Sequence, residues 1–91
     1  MSRHFHAVVD DLREQQRLPG RVLWQMALSD SAFEPGDSGT LIAVSRKGTR
    51  LEIPVLRVEH DASGRLWHIV EKPLAAGTEV RGEITRPVPK P

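Results

Sequence analysis

Between residues 5 and 18 the large apolar side chains are Phe5, Val8, Val9, Leu12 and Leu18. Asp10, Asp11, Arg13, Glu14 and Gln15 fill the intervening places. Steps of three and four predict an amphipathic helix. Ser2 is placed as an N-cap, and Pro19-Gly20 stops the helix. After Gly20 the period changes to two. Arg21 to Leu28 puts Val22, Trp24, Met26 and Leu28 on one side. Thr40 to Ser45 forms a second strand, and the tight turn Arg46-Lys47-Gly48-Thr49 leads into a third, Arg50 to Glu59.

That third segment changes phase. Leu51, Ile53 and Val55 share one face, while Leu56 and Val58 share the other, with Pro54 close to the switch. Proline cannot donate a ladder hydrogen bond, so a bulge, bend or edge position is expected there. A fourth strand runs from Arg65 to Glu71, after the turn Asp61-Ala62-Ser63-Gly64. A fifth, Glu79 to Thr85, turns Val80 and Ile84 inward, and inward-facing Gly82 suits a close crossing. The expected fold class is α+β: an N-terminal amphipathic helix packed on a curled five-stranded antiparallel sheet, a small SH3-like or OB-like partly open barrel. Residues 1–86 form the single compact domain, and 87–91 a Pro-rich disordered tail.

Ninety-one residues leave no room for a second core. The chain has no cysteine, which removes disulfides, thiolate ligands and a thiol nucleophile. The first residues lack the apolar core of a signal peptide, and no apolar run approaches a membrane span. A cytoplasmic protein with no membrane association is expected. Thirteen basic and twelve acidic side chains give a net charge of +1. The C-terminal half leans basic, well short of a dedicated nucleic-acid binder.

Residues 35–39, Pro-Gly-Asp-Ser-Gly, resemble the flank of the nucleophile in trypsin-like proteases, a resemblance that ends at Thr40. Such a protease needs a histidine base, an orienting carboxylate and an oxyanion hole. The pentad instead collects residues that favour turns, and Ser38 is read as part of a turn. Gly36 to Ile42 also resembles the turn-to-strand entry of small SH3-like barrels of the KOW type, which bind RNA or protein.

His4 and His6 are two apart, and His60 and His68 belong to separate segments; neither pair has the spacing of a metal motif, and no metal or cofactor is expected. Asp10 and Asp11 diverge on a helix and are read as a solvated face. An enzyme is not expected. Two binding classes remain. In the first, a protein partner or a second copy covers Pro54, Leu56 and Val58, because one small core has room for only one of the two apolar sets on the third strand. In the alternative, Arg46, Lys47, Arg50, Arg57 and Arg65 contact RNA or DNA, with Trp67 as a stacking platform if it faces outward.

Overall fold

The computed structural model describes residues 3–45 and 47–85, and these are all-β. Seven antiparallel strands form one sheet: β1 (Arg3–Leu18), β2 (Arg21–Leu28), β3 (Ser38–Val44), β4 (Arg50–Val55), β5 (Arg57–His60), β6 (Leu66–Val70) and β7 (Glu79–Thr85). The expected α+β class is therefore overturned: among the described residues there is no N-terminal helix, and there are seven strands rather than five. Arg46, the N-cap assigned to Ser2 and the tail at 87–91 lie outside the described residues.

The helical spacing in β1 has a physical source in two β-bulges. The pairing steps from Val9↔Leu28 to Asp11↔Ala27, so Asp10 is an extra residue, and Gln15 is a second one between Glu14 and Gln16. An extra residue reverses the inward-outward alternation. Ala7 and Val9 point inward at period two; beyond the bulge the next inward residue is Leu12, three places on. Period two plus a bulge thus imitates a helical step. Gln, Arg and Glu in this segment are good helix formers, but non-local pairing outweighs that preference. Pro19-Gly20 joins β1 to β2 as a two-residue turn, with Leu18 opposite Arg21 and Gly20 at φ 77°. Proline followed by a positive-φ glycine suits a type II turn.

The strand order is β4-β3-β7-β1-β2-β6-β5. β1 links two halves: residues 3–8 pair with β7, and residues 9–18 pair with β2. The end strands of this order, β4 and β5, are neighbours in the chain, separated by Leu56 alone. The sheet therefore curls until its two ends meet, and the Leu56 N–H donates to the Ile69 carbonyl at 2.8 Å.

One inward cluster fills the curl. Val9, Met26, Leu41, Ile53, Val55, Val58, Val70, Val80 and Ile84 come from the strands, while Phe33 and Leu74 come from connecting loops. Gly82, opposite Phe5, provides the close approach expected of it: a Cβ at Gly82 would overlap the Phe5 ring. That ring meets Phe33 edge-to-face at 5.5 Å, and Phe33 meets His68 in the same manner at 5.2 Å.

Val58 needs a correction. The sequence pattern puts it on a surface patch with Leu56, yet it is 3 % exposed and belongs to the core. The phase change falls at Val55-Leu56, where the chain bends, so the inward set is Ile53, Val55 and Val58. Leu51 and Leu56 stay outside it. One core accommodates both expected sets apart from those two residues.

Candidate interaction surface

The turn that contains the pentad is built by Asp37. Its N–H donates to the Glu34 carbonyl at 3.0 Å, and its carboxylate accepts the Glu34 N–H at 2.8 Å. Pro35 and Gly36 occupy the corners, with Gly36 at φ 94°. Ser38 is the first residue of β3, opposite Thr85, rather than a loop residue. The serine hydrogen-bonded to a histidine ring is Ser31. Its Oγ lies 2.8 Å from Nε2 of His68, while Nδ1 lies 2.8 Å from the Met26 carbonyl. The carbonyl only accepts, so Nδ1 carries the proton and Nε2 accepts from the Ser31 hydroxyl. Burial pushes the His68 pKa below its usual 6.5, opposed by the bond to Met26. Ser31 Oγ also accepts the Phe33 N–H at 3.2 Å, so the pair ties the β2–β3 loop to β6.

Among the described residues, the β4 strand has a hydrogen-bonded neighbour, β3, on one side only. The Ser45 N–H donates to the Thr49 carbonyl at 2.8 Å, which makes 45/49 a hydrogen-bonded pair and sets the alternation along the ladder. In the register Ala43↔Leu51, Leu41↔Ile53 and Gly39↔Val55, the odd-numbered residues of β4 bond to β3. Arg50, Glu52 and Pro54 direct their backbone groups away from it. Pro54 thereby forfeits no bond to β3, which explains why a proline is tolerated in this strand.

The exposed large apolar side chains among the described residues gather on this hairpin and bend. Val44 is 65 % exposed, Leu51 49 % and Leu56 41 %. Val44 ends β3 on its outer side, Leu51 lies past the limit of the core near the start of β4, and Leu56 follows β4 directly. Pro54 and Leu56 line a notch of about 160 Å³ with Glu71 and Lys72. The sequence pointed to Pro54 and Leu56 but missed Val44 and Leu51. Alternation assigned Leu51 to the inward face with Ile53 and Val55. Its closeness to the turn at 47–49 is the signal that the interior has ended.

The basic residues are not gathered into one strip. Arg50 lies in β4, with Glu52 at 3.0 Å. Arg57 lies in β5, with Glu59 at 3.6 Å and the Gln15 side chain at 3.4 Å. Arg65 reaches Asp10 and Asp11, each at 3.1 Å. Lys47 is exposed in the β3–β4 turn. The Trp67 ring is 1 % exposed; the guanidinium of Arg13 stands 4.0 Å from its centroid and that of Arg65 4.9 Å. Its indole N–H donates to Asp61 at 2.8 Å. Bonds from the Ser63 hydroxyl and then from this indole, with the Arg65 and Ser63 amides, hold the Asp61 carboxyl well below the usual carboxylate range. Trp67 is thus covered by its own neighbours, and offers no open face for a base.

No group of three or more His, Cys, Asp or Glu residues that could hold a metal ion occurs among the described residues. No helix among them is long and apolar enough to cross a membrane. No family model, curated protein or solved structure matches this chain.

Proposed function

We propose that this protein is a small non-catalytic binding module in the cytoplasm that acts by associating with protein, either its own copy or a different chain. One observation carries the reading: of the large apolar side chains exposed among the described residues, Leu51 lies on β4, whose second edge has no strand partner among them, Leu56 follows β4 directly, and Val44 of β3 faces Arg50 across the hairpin. A sheet edge with open backbone groups takes up another strand readily, and flanking apolar side chains add affinity and register. RNA or DNA binding through Arg46, Lys47, Arg50, Arg57 and Arg65 has less support. Arg50 on β4, and Arg57 and Arg65 on the β5–β6 hairpin, each face a carboxylate already. A phosphate would have to compete with each.

Photo-reactive residues at positions 51 and 56, compared with one at exposed Arg17 on the far hairpin, test the proposal in the source cell. Adducts with protein are expected from 51 and 56 and not from 17. Equal labelling from all three positions, or adducts with nucleic acid alone, would overturn it.

A further inference from the structure

The partner that the β4 edge fits best is a second copy of the same edge. We infer that two chains pair antiparallel through β4 about a two-fold axis at Leu51, an inference that rests on the association reading above. In this register Leu51 faces Leu51 of the second copy, and Arg50 faces Glu52 across both halves. The sequence Arg50-Leu51-Glu52 is complementary to itself in reverse, the property that an isologous contact requires.

The backbone supports the same register. Arg50 and Glu52 direct their N–H and C=O groups to the open side, by the alternation set at Ser45 and Thr49. Each Arg50/Glu52 pair between copies exchanges two main-chain hydrogen bonds, so the two symmetric pairs make four. Leu51, whose backbone is occupied by β3, falls in a non-hydrogen-bonded pair, the kind in which facing side chains approach more closely. Its 49 % exposure leaves area to cover.

The charges agree as well. Arg50 and Glu52 lie on one side of the strand, 3.0 Å apart, with side chains 59 % and 61 % exposed. Against a second copy they form an alternating square of two guanidinium and two carboxylate groups, with opposite charges facing across the strands. Pro54 limits the contact. It falls opposite residue 48 of the second copy, outside that copy's β4, and has no N–H to continue the ladder. β5, at the other end of the strand order, is less suited. It has four residues, and both Arg57 and Glu59 are engaged by Gln15.

Charge reversal gives the decisive experiment. Arg50→Glu alone sets carboxylate against carboxylate in both pairs, and Glu52→Arg alone sets guanidinium against guanidinium. Sedimentation equilibrium should show the dissociation constant of each rising by roughly tenfold or more. An equimolar mixture of the two variants should recover association as a heterodimer, because each then offers what the other lacks. Independently, Leu51→Cys in this cysteine-free chain should oxidise to a symmetric dimer faster than Val44→Cys, since facing residues in such a pair lie within disulfide reach. Circular dichroism of each variant should remain that of the wild type. A wild type that stays monomeric at millimolar concentration overturns the self-pairing, as does a mixture that fails to recover association. A dimer indifferent to both reversals and lost with Leu56→Asp also overturns it, placing the contact elsewhere. In each of these outcomes, cross-links from positions 51 and 56 to another protein would leave the association reading standing. Absence of those adducts as well would remove both.

Discussion

Substituting alanine at Gly82 should destabilise the fold by a route that one further substitution can relieve. Gly82 faces Phe5 across the β1–β7 ladder, and its new methyl group would overlap the aromatic ring. The ring would need to move roughly an ångström or more before carbon–carbon contacts returned to about 3.5–4.0 Å. It has little freedom to do so. Phe33 meets it edge-to-face at 5.5 Å, and Phe33 is itself held by His68 at 5.2 Å and lies against the backbone of Gly39. Over-packing of this type costs about 1–3 kcal/mol. Replacing glycine within a strand returns about 0.5–1 kcal/mol of backbone entropy. The net loss expected for Gly82→Ala is therefore about 0–2.5 kcal/mol. Phe5→Ala removes the obstacle, so in that background Gly82→Ala should be neutral or slightly stabilising. The double-mutant cycle should give a coupling of about 1–3 kcal/mol. Urea unfolding followed by tryptophan fluorescence provides all four stabilities, with the denaturant slope expected to remain constant. A midpoint for Gly82→Ala well above that of the wild type, or additive effects of the two substitutions, would refute the steric account.

Other expectations separate surface from core and fix protonation states. Val58→Asp places a charge in the apolar interior and should abolish folding, whereas Leu56→Asp should keep the native circular dichroism; the reverse order would contradict the placement of the chain bend. The His68 pKa lies below its unfolded value of 6.5, so the unfolded state binds more protons in this range. Stability should be highest above about pH 6.5 and fall as pH drops from there toward the folded pKa; an NMR titration of the imidazole placing it above 6.5 would refute this. Asp61 has the lowered pKa of a hydrogen-bonded carboxylate. Its contribution should be complete above the ordinary pKa of 3.8 and be lost at lower pH, and Asp61→Asn should remove that acid-side slope. Ser38→Ala should change stability by no more than about 0.5 kcal/mol, and a fluorophosphonate probe should leave Ser38 unlabelled.

The strands that alternate without interruption were legible in the sequence. β2 and β7 occupy the expected 21–28 and 79–85, and the irregularity near Pro54 marks the bend that divides the third expected strand into β4 and β5. The first segment was not legible, because a bulge at Asp10 gives a strand the spacing of a helix, and periodicity alone does not distinguish them. Trp67 and Val58 show a related limit. Alternation says which residues share a face, not whether that face is covered. Arg13 and Arg65, far apart in sequence, cover Trp67, and the curl of the sheet encloses Val58. The candidate surface was half legible. Pro54 and Leu56 carried a local signal, whereas Leu51 becomes significant only once the limits of the core are known.

The place of β7 constrains the order in which this protein can take shape during synthesis. The last described strand lies between β3 and the first half of β1, so residues 3–8 have no ladder partner until residues 79–84 have been made. The hairpins β1–β2, β3–β4 and β5–β6 have their partners nearby and can form as the chain emerges. Residues 3–8, by contrast, must wait for a partner more than seventy residues further on, and such long-range pairing is slow. A chain halted before residue 79 would leave open edges on both β1 and β3. A nascent copy that lacks residues 79–85 therefore presents more edge to pair with than the complete sheet, and the arrival of β7 is the step that commits the sheet to its curled form.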